Sequence, residues 1–331
     1  MAFLIDFTDT LNNNLLYGGN AGLKKGIIFR NENWIIKFPQ DTSEFEGVDI
    51  SYTTSPLSEY VGSHIYEILG YDVHKTELGI YKNDKINRTQ LVVGCLDFTN
   101  KGKYKLIDYE CIKNNYSDNL EIKLGELRKS LPAYKNKNLS SHSIPIEEII
   151  LQFKENQIFV NHPEAQKLFW EMIIIDCLIN NNDRNKNNWG FLFDLEHNSY
   201  SFAPIYDNGA SFVTKHSDEK MERLLNDNCA LENSALNGMS YYTIGHELLN
   251  FHNFFKKLMA NKLDANLKKV LPSVVDNILD KWPTIVNFID NIPEAENGIK
   301  IISNIQKEFF IKTMKIRLDN ILVPLKKVYL L

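Results

Sequence analysis

A two-lobed α+β fold is the architecture this 331-residue sequence predicts, and three observations carry that prediction. The first hundred residues read as short strands and turns. The stretch after Ser217 is helical almost throughout. Between them a long apolar helix leads into an Asn-rich loop and then a short hairpin. The length suits one large or two modest domains, and 44% hydrophobic with 24% charged residues excludes wholesale disorder. We place the division at 1–98 and 99–331.

Each element has its own warrant. Gly22–Phe29 and Asn33–Phe38 are apolar runs joined at Arg30–Glu32, which predicts a hairpin. Ser58–Leu69 sets Tyr60, Val61, Ile65, Ile68 and Leu69 at helical spacing and stops at Gly70, a residue suited to a left-handed cap. Thr76–Tyr81 and Arg88–Cys95 predict a second hairpin around Lys82–Asn87. The segment 99–145 is polar and rich in Asn and Lys, and it yields no firm assignment. Pro163 opens a helix that Leu168, Phe169, Met172, Ile173 and Ile175 make largely buried, ending near Asn180. Strands Trp189–Asp194 and Tyr200–Pro204 flank the turn Glu196–Ser199. Farther on, helix breaks are expected at Pro272, Pro283, Pro293 and Pro324.

Composition narrows the function classes. Lys+Arg 37 against Asp+Glu 42 gives a net charge of −5, which argues against a nucleic-acid partner. Cys95, Cys111, Cys177 and Cys229 are scattered without a CxxC, so no disulfide framework or zinc ribbon is expected. The most apolar run, Met172–Ile179, is broken by Asp176 and is too short to insert into a membrane. Asp6 and Asp9 stand where a secretory signal would carry basic residues, so a cytoplasmic location is expected.

The stretch Asn181–Gly190 carries the most chemistry. Asp183 and Asn188 have the spacing of a phosphotransferase loop, in which the carboxylate orients the attacking hydroxyl and the amide oxygen is a hard ligand for Mg²⁺. The same spacing recurs at Asp9/Asn14 and Asp176/Asn181, so spacing alone does not distinguish this loop from an Asn-rich turn. Context does. A buried helix leads in, a hairpin leads out, and Asp207-Asn208-Gly209 follows as an Asp-x-Gly in which Asp207 would bridge a metal and Gly209 would free the backbone.

Upstream, Gly18, Gly19, Asn20 and Gly22 lie in a glycine-rich stretch that is neither a Walker A loop nor a clean G-x-G-x-x-G. An ordinary turn and a phosphate cradle both remain open there. Lys37 lies between Ile36 and Phe38 on the following strand, where an ammonium needs anionic partners. Glu59 is the candidate; alternatively it is an acid favoured by its helix N-terminus. Leu91–Phe98, with Cys95, Leu96 and Asp97, is the candidate adenine-reading connector or an ordinary buried strand. His246, Glu247 and His252 lack the H-E-x-x-H spacing of a zinc helix, and there is no G-x-S-x-G elbow.

Together these pieces resemble the HipA-like serine/threonine kinases, and within them the cell-translocating kinase A type. The matching residues are W-I-I-K-F-P (34–39), S-E-Y-V-G-S-H-I-Y-E-I-L-G (58–70), N-N-D-R-N-K-N-N-W-G (181–190) and A-P-I-Y-D-N-G-A-S (203–211), in family order. The resemblance implies a protein-kinase-like fold with a small β-rich N-lobe and a larger, mainly helical C-lobe. It implies ATP and Mg²⁺ as cofactors, γ-phosphoryl transfer to Ser/Thr hydroxyls of a protein substrate, and autophosphorylation. By matched position Asp183 is the catalytic Asp, Asn188 and Asp207 are metal ligands, and Lys37 binds phosphate. The implied ATP contacts are Gly18, Gly19, Asn20, Gly22, Lys37, Glu59, Cys95, Leu96 and Asp97. Export into another cell also follows from the resemblance.

Three departures qualify the likeness. Asn185 stands where the family often has His. Some HipA-like kinases inactivate themselves on a serine in the glycine-rich loop, but between Leu15 and Ile27 the only hydroxyl is Tyr17. Full HipA toxins also carry a further subdomain ahead of that loop, which here begins within twenty residues of Met1. This last point weakens the inference of toxin function and leaves an antitoxin partner weakly supported. Within the same fold, a phosphoinositide-type lipid kinase would need a basic face for anionic membrane, and this acidic chain shows none. A catalytically inactive kinase-like scaffold would not need Lys37, Asp183, Asn188 and Asp207 together.

Overall fold

A computed structural model of the chain describes residues 2–15, 17–18, 23–83, 88–114, 117–132 and 143–330. Two compact units emerge from the packing. The first joins Met1–Tyr104, Pro204–Glu232 and Asp280–Met314; the second joins Lys105–Ala203, Asn233–Leu279 and Lys315–Leu331. A contiguous cut at 98/99 would therefore leave 204–232 and 280–314 outside the unit in which they pack.

The first unit is organised by a six-stranded sheet. Its strands are β1 (Ile5–Asp6), β2 (Leu11–Asn12), β3 (Lys24–Phe29), β4 (Glu32–Lys37), β5 (Thr76–Asn83) and β6 (Arg88–Leu96), in the order β1-β5-β6-β4-β3-β2. Arg30 and Asn31 join β3 to β4 with φ of 51° and 62°, the paired positive values of a two-residue type I′ turn. Alternation along β4 sends Trp34 and Ile36, with Phe38 beyond, into a core shared with Phe7, Ile27 and Val92. Lys37 lies on the opposite face, so its sequence neighbours are not its surroundings. Helix α1 (Ser55–Ile68) starts three residues earlier than its apolar spacing suggests, with Pro56 in its first turn. It ends at Gly70, whose φ of 85° lets Tyr71 N donate back to Tyr66 O.

In the second unit β7 (Tyr104–Asp108) begins at the boundary and pairs in a three-stranded sheet with β8 (Gly190–Asp194) and β9 (Ser199–Phe202). The unassigned segment 99–145 holds β7, α2 (Tyr109–Lys113) and α3 (Asp118–Ser130), followed by α4 (Ile146–Glu155) and α5 (Gln157–Asn161). Helix α6 (Glu164–Ile179) is buried almost all round. Asn180 closes it at φ 56°, and Asn181 N donates to Asp176 O at 2.8 Å. This closure needs room, because a Cβ at Gly238 would stand 2.0 Å from Asn180 Oδ1.

Helices α7 (Asp218–Leu225), α8 (Asn228–Leu236) and α9 (Phe251–Ala260) follow, then α10 (Ala265–Asp290). Here the expected breaks fail. Pro272 and Pro283 both lie inside α10, where buried Leu271, Val274, Val275, Ile278 and Ile285 hold the helix together despite the lost backbone donors. Pro293 does sit in a break, before the hairpin of β10 (Ala295–Glu296) and β11 (Ile299–Lys300). Helix α11 (Asn304–Arg317) passes through a π-turn, Leu318–Leu322, directly into α12 (Val323–Leu330), so Pro324 is taken up after a widened turn instead of ending the helix. Among the described residues no helix is long and apolar enough to cross a membrane.

Candidate active site

Lys37, at the end of β4, and Glu59, in the second turn of α1, meet in the first unit. Lys37 Nζ donates to Glu59 Oε2 and to Asp207 Oδ1, both at 2.8 Å. The Glu59 side chain is 1% exposed, that of Lys37 18% and that of Asp207 35%. Burial works against all three charges, yet mutual attraction outweighs it. Lys37 is raised well above the usual lysine range by Asp207 and Glu59. Glu59 is held far below the carboxylate range by Lys37 and His74, and Asp207 is lowered by Lys37.

Asp207 arrives on a segment zipped to the first unit through Ile205, which accepts from His74 N at 2.9 Å and donates to Asp72 O at 2.8 Å. Its φ is 61°, an uncommon left-handed value for a residue other than glycine. The expected role of Gly209 is therefore corrected. Gly209 has no left-handed φ; what it supplies is space, since a Cβ there would stand 3.0 Å from Glu59 Oε2. Asn208 N donates to Glu59 Oε1 at 2.9 Å, and Asn208 Nδ2 donates to Ser63 Oγ at 3.0 Å. His74, which no sequence pattern singles out, places Nε2 2.9 Å from Glu59 Oε1 and 3.1 Å from Ser63 Oγ.

Of the glycine-rich positions, Gly18 is exposed and its carbonyl accepts from Lys24 Nζ at 2.8 Å; Gly19, Asn20 and Gly22 lie outside the described residues. Tyr17 donates its hydroxyl to Asp97 Oδ2 at 2.9 Å, which links this stretch to the end of β6. Asp97 also accepts from Thr99 N and Oγ1. Leu96 pairs with Trp34 across β4 and β6, and Cys95 with Ile35. Cys95 Sγ lies within 4.8 Å of the Glu59 and His74 ligand atoms, and burial pushes its thiol far up, so it is an inert wall.

The loop that follows α6 is built in the second unit. Asp176 accepts Arg184 Nε at Oδ2, 2.8 Å, and Arg184 Nη2 and Asn181 Nδ2 at Oδ1, 3.0 and 3.2 Å. Arg184 Nη1 donates to Asn188 O at 3.0 Å. This bidentate pair, 1% exposed on each side, folds the loop around itself. Asp183 is exposed. Asn185 Nδ2 donates to Asp183 Oδ1 at 3.0 Å, so an amide occupies the place of the missing imidazole. Asn188 is buried, and its Nδ2 donates to Asp183 O at 2.7 Å.

Those bonds bear on a metal. Mg²⁺ requires oxygen donors in a near-octahedral shell. With its nitrogen engaged, Asn188 keeps Oδ1, a hard oxygen with no hydrogen-bond partner among the described residues. Asp207 likewise keeps Oδ2 outside its bond to Lys37. The donor types fit.

No family model matches the sequence. Its fold nonetheless has counterparts among solved structures. A crystal structure of a Helicobacter pylori proinflammatory kinase, CtkA, superposes with a TM-score of 0.78 at 26% identity, covering 99% of each chain. HipA in a complex with HipB and operator DNA, from Shewanella oneidensis MR-1, gives 0.50 at 10% identity over 97% of this chain and 70% of that one, a likeness of fold alone. These matches define the class: a HipA-like, kinase-fold α+β protein with a β-sheet N-terminal region and a helical C-terminal region. Among curated proteins, the serine/threonine-protein kinase CtkA of Helicobacter pylori is 32% identical over 311 residues, 92% of this chain and 82% of that protein. The chain belongs to the CtkA family of serine/threonine-protein kinases.

Proposed function

We propose that this kinase transfers the γ-phosphoryl group of ATP, with Mg²⁺, to Ser/Thr hydroxyls of a protein, its own chain included. The observation that carries the reading is Lys37 Nζ held at 2.8 Å by both Glu59 and Asp207. In this reading the Lys37 ammonium binds the nucleotide phosphates, while Glu59 keeps it extended and charged. Asn188 Oδ1 and the Asp207 carboxylate would hold the metal, which when bound neutralises phosphate charge. Gly18, Gly19, Asn20, Gly22 and the Cys95–Asp97 connector would receive the rest of the nucleotide. The Asp183 carboxylate, exposed and steadied by Asn185, orients the acceptor hydroxyl and takes its proton late in a largely dissociative transfer. Asn188 Nδ2, donating to Asp183 O, ties the proton acceptor to the metal-binding amide. The likeness to HipA carries no antitoxin partner to this chain.

The test is Asp183→Asn, which keeps shape and removes charge. Incubated with γ-labelled ATP and Mg²⁺, the variant should lose ~10²-fold or more in transfer to itself and to lysate proteins, the scale of a lost general base, with near-normal nucleotide affinity. Undiminished transfer would remove Asp183 from the mechanism. Nucleotide binding by the wild type without transfer to any acceptor would favour an inactive scaffold.

A further inference from the structure

Glu59 and Ser63 stand one turn apart on the buried face of α1. His74 is 5% exposed and comes from the segment between α1 and β5, whose backbone is tied to Ile205 two residues before Asp207. Four contacts close a ring across these three segments. His74 Nε2 meets Glu59 Oε1 and Ser63 Oγ, Asn208 Nδ2 donates to Ser63 Oγ, and Asn208 N donates to Glu59 Oε1.

We propose that His74 is a positioning residue for phosphoryl transfer: through this ring it fixes the Glu59 carboxylate on Lys37 and holds Asp207 in its left-handed conformation. The inference rests on the roles proposed above for Lys37 and Asp207. A carboxylate offers about four lone-pair directions. Two N–H donors on Oε1 stop it from rotating and leave Oε2 to Lys37. Nε2 faces an ionised carboxylate, so it carries a hydrogen; the network assigns that state. Lys37 sits on a flexible stem and has no orientation of its own, so the fixed carboxylate supplies it. A strained residue such as Asp207 persists only where its surroundings over-determine it. Asn208, pinned at both its backbone and its side-chain nitrogen, provides that constraint one residue away. His74 touches none of the reacting groups and acts through Glu59 and, by way of Ser63, through Asn208.

Replacing His74 tests this without an acceptor protein. His74→Leu keeps bulk and removes the donor; His74→Gln restores a donor at nearly the same reach. Calorimetry with Mg·ATP and transfer assays should show a loss of about 10-fold to 100-fold in turnover for His74→Leu, the scale of losing an outer-shell partner, with a smaller loss of affinity. His74→Gln should recover most of it. In a Lys37→Met background His74→Leu should change affinity by less than about twofold, because both act on one interaction. Ser63→Ala gives a second route if His74→Leu does not fold, and it should reproduce the turnover loss in part. Wild-type turnover in both His74→Leu and Ser63→Ala, or a loss that Gln does not rescue and that adds to Lys37→Met, overturns the inference. A wild-type protein that binds no Mg·ATP overturns the functional reading itself and the inference with it.

Discussion

Arg184 and Asp176 form a balanced pair in the second unit: one cation, one anion, each 1% exposed, in bidentate contact and tied to loop backbone and Asn181. Lys37 in the first unit is unbalanced. One ammonium is shared by two carboxylates, and two of the three side chains remain partly open, at 18% and 35%. The balanced cluster has nothing left to offer a ligand, and its effect is to shape the loop carrying Asp183 and Asn188. The unbalanced cluster keeps an excess negative charge and an unengaged carboxylate oxygen, which favours the arrival of further positive charge. The two clusters thus differ in stoichiometry, one cation to one anion against one cation to two, where their contact distances are alike.

The comparison breaks most directly at Arg184. Arg184→Met leaves Asp176 buried without its cation and should destabilise the fold by about 3–5 kcal/mol, measured by urea unfolding. Glu59→Gln should cost clearly less, because Lys37 retains Asp207. If the two losses were equal, the distinction between the clusters would collapse.

Next in size is the effect on chemistry. Lys37→Ala should remove ~3 kcal/mol of transition-state stabilisation, the scale of one charge-stabilising group, and Lys37→Arg should recover only part of it, since a planar fork does not replace a point charge. Single-turnover rates at saturating ATP decide this. Full activity in the Arg variant would mean that net charge alone suffices at that position.

The smallest effects lie in pH. Glu59 and Asp207 are lowered on folding, so their stabilisation is present above their unfolded values of 4.5 and 3.8 and disappears as pH falls through the folded ones. Lys37 is raised, so its contribution is present below 10.5 and is lost only at still higher pH. The cluster should therefore be silent near neutrality. Acid loss should begin elsewhere, at His216, which burial and then Lys220 push down from 6.5 to about 4. A histidine lowered on folding stabilises above its unfolded value, so stability should decline from about pH 6.5 towards pH 4, and His216→Asn should flatten that slope in thermal unfolding at stepped pH. An unchanged slope would locate the acid sensitivity in the other histidines.

What the sequence disclosed follows from range. Local patterns were legible: the hairpin around Arg30, the end of α1 at Gly70, the end of α6 near Asn180. A lysine in a strand demands anions, and Glu59 is near enough in sequence to be found. Asp207 as its second partner, 170 residues away, leaves no local trace. Nor does His74, whose partners are set by the pairing of 72–74 with Ile205. Asp176 did leave a signal, a lone acid in an apolar run, which reads as an interruption until the rule that buried charge needs a partner is applied to it. Asn180 to Asn188 reads as a polar turn because the amides do fold the loop; only their bonds show that the turn is also a scaffold. The prolines of α10 mislead for the opposite reason. Their penalty is local, whereas the apolar face that overrides it extends over the whole helix.

The closure of α6 at Asn180 also restricts how this chain can diverge. The left-handed backbone there admits Asn or Gly readily, and the 2.0 Å clearance at Gly238 admits no side chain while Asn180 keeps its place. Two positions 58 residues apart are therefore coupled: a side chain at residue 238 requires the Asn180 amide to swing aside or to shorten.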